Sequence, residues 1–373
     1  MSSNISHVAV SSTVVNESFV PTFSEPVFVS VTVITIAILV LAIPANTLVL
    51  VGYLKGISAL KKPANYLLIN LTVLEFILSI IVIPFQLLVN FIKPRFLNDT
   101  DASCVIVGIL VYPFYIAATI TMIFISVDRY YAIRAPFKYK FMMGRSRIAC
   151  MVGYSWLHSV AFIAGFGCTL GVGYDAHLGV CGVLWNNNMI VSSVAAVTHI
   201  LLPFFLLLAL NINLVVSLRN QNRTAVNNLD YRQGQIWKTR QAQERRITCL
   251  VFWIICTFLV SWLPYLVTRG LWVIFSKPTL QVFCTFATTS LQLSVVIDPV
   301  LNLVFRKDLR TTLERLILRK RNESITLQTG RLNLGASVVP RGNRCKNTKI
   351  FVRPRNENSE NWLNQCRRYI THR

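Results

Sequence analysis

Residues 104–136 read CVIVGILVYPFYIAATITMIFISVDRYYAIRAP. The part from 105 to 127 is 23 residues long and carries no charge, which is enough helix to cross a hydrocarbon layer about 30 Å thick. It ends at Asp128, Arg129 and Tyr130. Charges at the end of a spanning helix often only anchor it, but here an acid stands next to a base. The stretch therefore predicts a membrane-spanning helix with a functional group at one end.

The composition extends this prediction to the whole chain. Of its 373 residues, 54% are hydrophobic and only 14% are charged, with a mean hydropathy of +0.54, whereas soluble domains have about 25% charged residues. Seven apolar runs are long enough to cross a membrane, at 27–54, 63–91, 102–134, 147–170, 188–218, 243–275 and 278–305. The pattern predicts an all-α membrane protein with a seven-transmembrane helix bundle.

The positions of the basic residues orient this bundle. The net charge of +22 would suggest nucleic acid in a soluble chain, but the 37 lysines and arginines avoid the apolar runs. With the N-terminus outside, all but four of them fall on the cytoplasmic side, the exceptions being Lys93, Arg95, Arg269 and Lys277. This asymmetry follows the positive-inside rule. A basic inner face attracted to anionic lipid accounts for the charge without a nucleic-acid partner.

The segments outside the bundle have distinct compositions. Residues 1–26 are polar, lack lysine and arginine, and are predicted to be extracellular without a cleavable signal peptide. Residues 306–320 repeat leucine and isoleucine at helical spacing among basic residues, which predicts an amphipathic eighth helix on the inner membrane face. Residues 321–373 form a basic tail that is predicted to be disordered. Glycan acceptor triplets begin at Asn4, Asn16 and Asn98.

Each of the seven runs contains a characteristic residue or short group of residues. These residues are Asn46, Leu48 and Val49; Asn70, Leu71 and Glu75; Asp128, Arg129 and Tyr130; Trp156; Pro203; Phe258, Ser261, Trp262, Pro264 and Tyr265; and Asp298, Pro299 and Asn302. Across 27–320 the set resembles the rhodopsin-like G-protein-coupled receptors. The resemblance implies a plasma-membrane receptor, not an enzyme, with an extracellular ligand, a heterotrimeric G protein, and arrestin and receptor kinases as partners.

The resemblance also implies an activation switch at the cytoplasmic ends of the helices. Arg129 is expected to pair with Asp128 and, in the inactive state, with Glu244 of the sixth run. The other expected members of the switch are Tyr130, Asn211, Trp262, Pro264, Asp298, Pro299 and Asn302. Asn211 and Asn302 stand where the family has tyrosines, so the active state is expected to be held differently. On the outer side, Cys104 and Cys181 are the pair that the family joins as a disulfide.

Two carboxyl groups are expected in the middle of the bundle. Glu75 and Asp298 replace an aspartate and an asparagine of the family, in a polar pocket shared with Asn46 and Ser294. Two carboxylates this close require a sodium ion or a shared proton. Ala118 stands where the family often provides a serine to sodium, which favours the proton.

The expected ligand site lies in the outer half of the bundle. The resemblance places nine residues around it, namely Gln86, Val111, Tyr112, Tyr115, His199, Trp262, Tyr265, Arg269 and Gln292. Receptors for biogenic amines have an aspartate at the position of Val111, and no other acid is expected in this half, so a small amine is disfavoured. Arg269 either reaches the membrane surface or receives an acidic group. A peptide with an acidic group is the first expectation, and an acidic small molecule or lipid is the second.

Three other functions are disfavoured. A retinal light sensor needs a lysine in the seventh run, and Gln292 occupies that position. A transporter would show repeated halves or paired interrupted helices, which the chain lacks. For an enzyme, His158 and His199 lie in separate runs without the spacing of metal ligands.

Overall fold

The computed structural model describes residues 25–56, 63–92, 102–175, 180–221, 231–274 and 278–318. The predicted glycan acceptors, the predicted extracellular segment up to residue 24 and the predicted tail lie outside these residues. Within them, seven helices are long and apolar enough to cross a membrane. This confirms the predicted seven-helix bundle.

The seven spans are numbered in chain order. Spans 1, 3 and 6 are the uninterrupted helices Glu25–Lys55, Ala102–Arg134 and Tyr231–Ile274. The other four spans are built from consecutive segments. Span 2 consists of Pro63–Ile77, Leu78–Val82 and Ile83–Ile92, and span 4 consists of Arg145–Phe162, Ile163–Gly167 and Cys168–Leu170. Span 5 consists of Met189–Ala196, Val197–Leu201 and Leu202–Gln221, and span 7 consists of Pro278–Ser290 and Leu293–Phe305.

The middle segments of spans 2, 4 and 5 are π-helical turns. In spans 2 and 5, a proline stands two residues after the end of the turn, at Pro84 and Pro203. Proline lacks an N–H and its ring collides with the carbonyl four residues earlier, and a wider turn before it relieves this conflict. The local sequence thus explains two of these turns, and span 4 has no proline at its turn.

A polar chain ties three spans together near the bundle centre. The indole of Trp156 in span 4 donates to Oδ1 of Asn70 in span 2 at 3.0 Å, and Nδ2 of Asn70 donates to Oγ1 of Thr121 in span 3 at 2.9 Å. Around this chain the interior is apolar and closely packed. Residues on the outer faces are also apolar but exposed, such as Leu157 at 71% and Ile190 at 79%. Such exposed apolar side chains are what a lipid-facing surface requires.

The all-α bundle also carries one short element that is not helical. Two short strands, β1 (Val172–Asp175) and β2 (Val180–Val183), pair as an antiparallel hairpin between spans 4 and 5. The hairpin lies on span 3 at Gly108, where an added Cβ would come within 2.4 Å of Val172. Gly171, which precedes β1, has a φ of +82°, a conformation that favours glycine. Backbone pairing in a loop was not visible in the apolar pattern.

Two further predictions are confirmed. Cys104, at the outer end of span 3, forms a disulfide with Cys181 of β2, so the hairpin is covalently attached to the bundle. After span 7, a helix covers 307–318. Its Leu309 is fully buried and packs so closely on span 1 that a Cβ at Gly52 would lie 2.7 Å from Leu309 Cδ1. The amphipathic helix is therefore docked against the bundle.

Candidate functional site

The inner end of span 3 holds a buried arginine between two acids. Nε of Arg129 donates to Oδ2 of Asp128 at 2.8 Å, and Nη2 also contacts that oxygen. Nη1 of Arg129 donates to Oε2 of Glu244 in span 6 at 2.8 Å. The Arg129 side chain is 3% exposed, whereas that of Glu244 is 28% exposed. The expected ion pair between spans 3 and 6 is present, and Glu244 is its more exposed partner.

A tyrosine that sequence reasoning missed completes this cluster. The short loop helix Pro136–Met142 begins with a proline, which suits the first position of a helix. It brings the hydroxyl of Tyr139 to Asp128, where it donates to Oδ1 at 2.7 Å and accepts from Nη2 of Arg129 at 3.2 Å. Burial raises the pKa of Tyr139 above its ordinary value, which keeps the hydroxyl protonated as a donor. Pro136, three residues before Tyr139, was the sequence signal that could have predicted the loop helix.

Tyr130, which was expected in the switch, points elsewhere. Its ring meets Tyr131 edge to face at 5.9 Å between centroids, and the guanidinium of Arg134 lies 6.0 Å from its centroid. Within the described residues, Tyr139 is the tyrosine that contacts both Asp128 and Arg129.

The middle of the bundle contains the two expected carboxyl groups. Glu75 and Asp298 are both buried and act electrostatically on each other. Nδ2 of Asn46 donates to the carbonyls of Val295 at 2.9 Å and Ala42 at 3.1 Å, whereas its buried Oδ1 has no hydrogen-bond partner among the described residues. The Ser294 hydroxyl contacts the carbonyl of Leu291 at 3.3 Å.

Among the described residues, the side-chain oxygens of Asp298 accept no hydrogen bond from a nitrogen or hydroxyl donor, and the carboxyl group of Glu75 is close enough to share a hydrogen bond with Asp298. Two facing carboxyl groups without a donor fit a bound cation or a shared proton. In the described part of the chain, no group of three or more histidines, cysteines or acids could form a larger metal site.

The outer half of the bundle encloses a narrow cavity of about 80 Å³. Eight of the nine residues expected around the ligand line it, namely Gln86, Val111, Tyr112, Tyr115, His199, Trp262, Tyr265 and Gln292. Trp262 forms its floor with Tyr115, whose ring it meets edge to face at 6.4 Å. Trp185, which follows the hairpin, closes one side and donates from its indole nitrogen to the Tyr112 hydroxyl at 2.9 Å. We refer to this space as the central cavity.

Arg269, the ninth expected residue, lies outside the central cavity. It lines a second cavity of about 450 Å³ between the outer ends of spans 5 and 6, here called the outer cleft. Trp185, Ile200 and Tyr265 line both spaces. The expectation of one site containing all nine residues was therefore wrong. Arg269 lies one turn beyond Tyr265 on nearly the same face of span 6, so its height along the helix separates it from the others.

A second expectation about this region was also wrong. Asp175, at the end of β1, is only 3% exposed and acts electrostatically on the hydroxyls of Tyr112 and Tyr265. An acid is therefore present in the outer half of the bundle, brought there by the hairpin. The argument against an amine ligand now depends on Val111 alone.

His158 and His199, considered separately in the sequence, meet between spans 4 and 5. Their rings stack with centroids 5.1 Å apart and an interplanar angle of 22°. Tyr154 stacks on the far side of His158, and Phe162 packs against His199 at 4.7 Å. The histidines form part of an aromatic stack that joins the two spans.

The sequence also matches known receptors. The profile of the family described as 7 transmembrane receptor (rhodopsin family) matches residues 45–302, which is more than half of the chain. The protein belongs to this family.

Similarity to individual members of the rhodopsin family is lower. G protein-coupled receptor 161 of Bos taurus is 24% identical over 323 residues, which cover 77% of this chain and 58% of that receptor. Trace amine-associated receptor 7f of Mus musculus is 25% identical over 241 residues, which cover 61% of this chain and 65% of that receptor. The chain thus spans less than two thirds of the length of these relatives. Squid rhodopsin superposes with a TM-score of 0.67 at 21% identity, covering 79% of this chain and 86% of that one, which supports the fold.

Asn211 and Asn302, which stand where the resemblance implies tyrosines, each contact a defined partner. Nδ2 of Asn211 contacts the sulfur of Cys256 in span 6 at 3.5 Å. Nδ2 of Asn302 donates to the carbonyl of Asp298 at 3.0 Å, and its Oδ1 accepts from the Tyr53 hydroxyl at 2.8 Å. The structure therefore gives these two asparagines different partners in different parts of the bundle.

Arg306 extends the Asn302 contact into a network at the inner end of the receptor. Its guanidinium lies 5.3 Å from the centroid of the Tyr53 ring and donates to Oδ1 of Asn65 at 3.0 Å. A longer contact of 3.4 Å joins it to the Tyr53 hydroxyl. Spans 1, 2 and 7 are thereby connected through one buried cation. Sequence reasoning missed Tyr53, Asn65 and Arg306 because each resembles an ordinary residue at a span end.

Proposed function

We propose that this receptor binds an extracellular ligand and activates heterotrimeric G proteins by separating the inner ends of spans 3 and 6. The observation that supports the proposal is the contact of 2.8 Å between Arg129 and Glu244. An ion pair between two helices is a two-state element, because it is either formed or broken when the helices separate. The proposed location is the plasma membrane, with the N-terminus outside and with arrestin and receptor kinases as further cytoplasmic partners.

The geometry also indicates which contact breaks first. Arg129 is held to Asp128 within the same helix and to Tyr139 of the adjoining loop helix. Its contact with Glu244 crosses to another span, and the Glu244 side is partly exposed. Partly exposed ion pairs contribute little stability. Movement of span 6 would therefore remove Glu244 and leave Arg129 on span 3, where Nη1 becomes available to a G protein.

The test is basal G-protein activation in cells at matched surface expression. Glu244→Gln should raise basal signalling because it removes the charge that holds Arg129, whereas Arg129→Ala should reduce coupling. Glu314→Gln is the matched control, because Glu314 is an exposed acid on the helix at 307–318. Basal activity that is equal in Glu244→Gln, in Glu314→Gln and in the unaltered receptor would contradict the proposal.

The proposed ligand carries an acidic group that binds Arg269. The sequence placed a peptide first and an acidic small molecule or lipid second. Two observations favour the second class. The central cavity of about 80 Å³ is far smaller than the roughly 300–1,000 Å³ of typical ligand sites. The outer cleft, at about 450 Å³, falls within that range and contains the arginine.

An agonist screen with several G-protein readouts would separate these classes. One arm applies peptides with acidic side chains or free carboxyl termini, and the other applies acidic small molecules and lipids. For a true agonist, Arg269→Gln should lower potency roughly 10- to 150-fold, the range for losing a hydrogen bond to a charged group. Agonism by a cation, or a potency unaffected by Arg269→Gln, would refute the role of Arg269.

We further propose that Glu75 and Asp298 share a proton or bind sodium. The proposal is supported by the burial of the two carboxyl groups beside each other and by the lack of a nitrogen or hydroxyl donor to Asp298 among the described residues. A bound cation would be held by the two carboxyl groups and would supply the positive charge that their burial requires.

A further inference from the structure

The outer cleft differs from the central cavity in its walls. Span 5 provides Met189, Ser192, Ser193, Ala196, Ile200 and Leu201, and span 6 provides Tyr265, Leu266, Arg269 and Gly270. Its serine hydroxyls already have acceptors, since Ser192 donates to the carbonyl of Trp185 and Ser193 to that of Met189. Trp185 and Asn186 complete the lining, so apart from Arg269 and Asn186 the walls offer mostly apolar surface.

The guanidinium of Arg269 is incompletely paired. Its Nη1 is buried and has no hydrogen-bond partner among the residues that the structure describes. A buried donor without an acceptor costs about 1–3 kcal/mol, and more when the group is charged. An anionic group entering the cleft would provide the missing acceptor and could bind the planar guanidinium through two oxygens.

Some residues that line the cleft also form part of the exposed apolar surface of the bundle. Met189 at the rim is 59% exposed and Leu201 is 37% exposed. On span 6, the neighbouring Leu263 and Val267 are also exposed apolar side chains. An acyl chain that extends from the cleft along these side chains would therefore stay in contact with apolar surface.

We infer that the outer cleft binds a single-chain anionic amphiphile that enters from the outer leaflet between spans 5 and 6. The anionic head contacts Arg269 and the chain lies against the apolar residues of the two spans. This inference rests on the proposed function, because it identifies the acidic ligand as a lipid and assigns its route of entry. The head group is a carboxylate or a phosphate, which offer the same bidentate chemistry to arginine.

The cleft is also connected to the floor of the central cavity. Tyr265 lines both spaces and meets Trp262 edge to face at 6.1 Å. Both residues flank Pro264, which interrupts the hydrogen bonding of span 6. An occupant of the cleft that displaces Tyr265 would therefore act on span 6 at the point where the helix bends most easily.

The test measures binding directly, without a G protein. Purified full-length receptor in lipid nanodiscs is labelled with a photoactivatable long-chain fatty acid or, in a parallel arm, with a photoactivatable lysophosphatidic acid. Peptide mapping should place the label in spans 5 and 6, and competition by the unlabelled acid should exceed that by the neutral alcohol of the same chain length. Arg269→Gln should weaken labelling tenfold or more.

A pair of tryptophan variants tests the route. Ser193→Trp fills the rim of the cleft, whereas Val194→Trp adds the same ring at an exposed neighbour that does not line it. Labelling should be lost only in Ser193→Trp, with both variants eluting as monodisperse receptor. Labelling by both lipids that is equal in Ser193→Trp and Val194→Trp, or that maps outside spans 5 and 6, would overturn the inference. A peptide agonist that remains active in Ser193→Trp would overturn it while leaving receptor function intact.

Discussion

The hydroxyl of Tyr53 in span 1 donates a hydrogen bond of 2.8 Å to Oδ1 of Asn302 in span 7. The rhodopsin-like pattern has a tyrosine at the position of Asn302, and here the phenol that contacts it comes from another span. Arg306 lies over the same ring and reaches Asn65. The inner ends of spans 1, 2 and 7 are thus joined while Arg129 is paired with Glu244.

Tyr53→Phe removes this hydroxyl and keeps the ring over Arg306. Oδ1 of Asn302 then lacks its donor in a buried site, which costs about 1–3 kcal/mol. We expect a several-fold rise in basal G-protein activation, because the conformation described here loses a contact. Tyr66→Phe, at an exposed tyrosine of span 2, should behave like the unaltered receptor. The same basal activity in both variants would show that the network does not favour one state.

Tyr139→Phe and Tyr130→Phe separate the observed contact from the one expected from the sequence. Tyr139→Phe removes the donor to Asp128 and an acceptor for Arg129. The free energy that stabilises the cluster should therefore fall by about 0.5–1.5 kcal/mol. Basal signalling should rise modestly in Tyr139→Phe and remain unchanged in Tyr130→Phe. The reverse ranking in a G-protein dissociation assay would mean that Tyr130 is the switch residue.

The disulfide between Cys104 and Cys181 should be needed for surface delivery. Loss of a disulfide in a small extracellular domain typically costs about 2–5 kcal/mol, and here it would also release the hairpin from Gly108. Cys104→Ser, Cys181→Ser and the double variant should have equally low surface levels by flow cytometry. Cys150→Ser, at an exposed free cysteine, serves as the control. Additive losses in the double variant would indicate two independent roles.

The carboxyl pair should make basal activity sensitive to sodium or pH. Asp298→Asn and Glu75→Gln each leave a single carboxyl group that no second carboxylate repels. The remaining group then needs neither a bound cation nor a shared proton. We expect each variant to flatten the dependence of basal activity on sodium or pH. Asp308→Asn, outside the bundle interior, should retain that dependence. If all three variants respond as the unaltered receptor does, the two acids do not act as a pair.

Much of the bundle was predictable because its signals are local. Run length and the side on which lysines and arginines fall are enough to define the spans and their order. The pair formed by Arg129 and Glu244 followed from matched span ends. The placement of Arg269 in a separate cleft was not predictable, because it depends on how spans 5 and 6 pack at their outer ends.

Other features of the site depend on loops. Tyr139 reaches Asp128 only through the loop helix at Pro136–Met142, and Asp175 becomes buried only because the hairpin is attached to span 3 by Cys181. The stack of His158 on His199 likewise requires spans 4 and 5 to meet at matching heights. None of these contacts leaves a periodic signal in the chain.

The π-helical turns at Leu78–Val82, Ile163–Gly167 and Val197–Leu201 divide three spans into halves that can vary independently. A π turn holds one residue more than an α turn, and one residue corresponds to about 100° of rotation around a helix. Deleting a single residue there would turn the outer half of a span while the inner half keeps its contacts. Across descendants of such a receptor, one-codon changes at these turns could present new side chains to ligands and preserve the surface that meets the G protein.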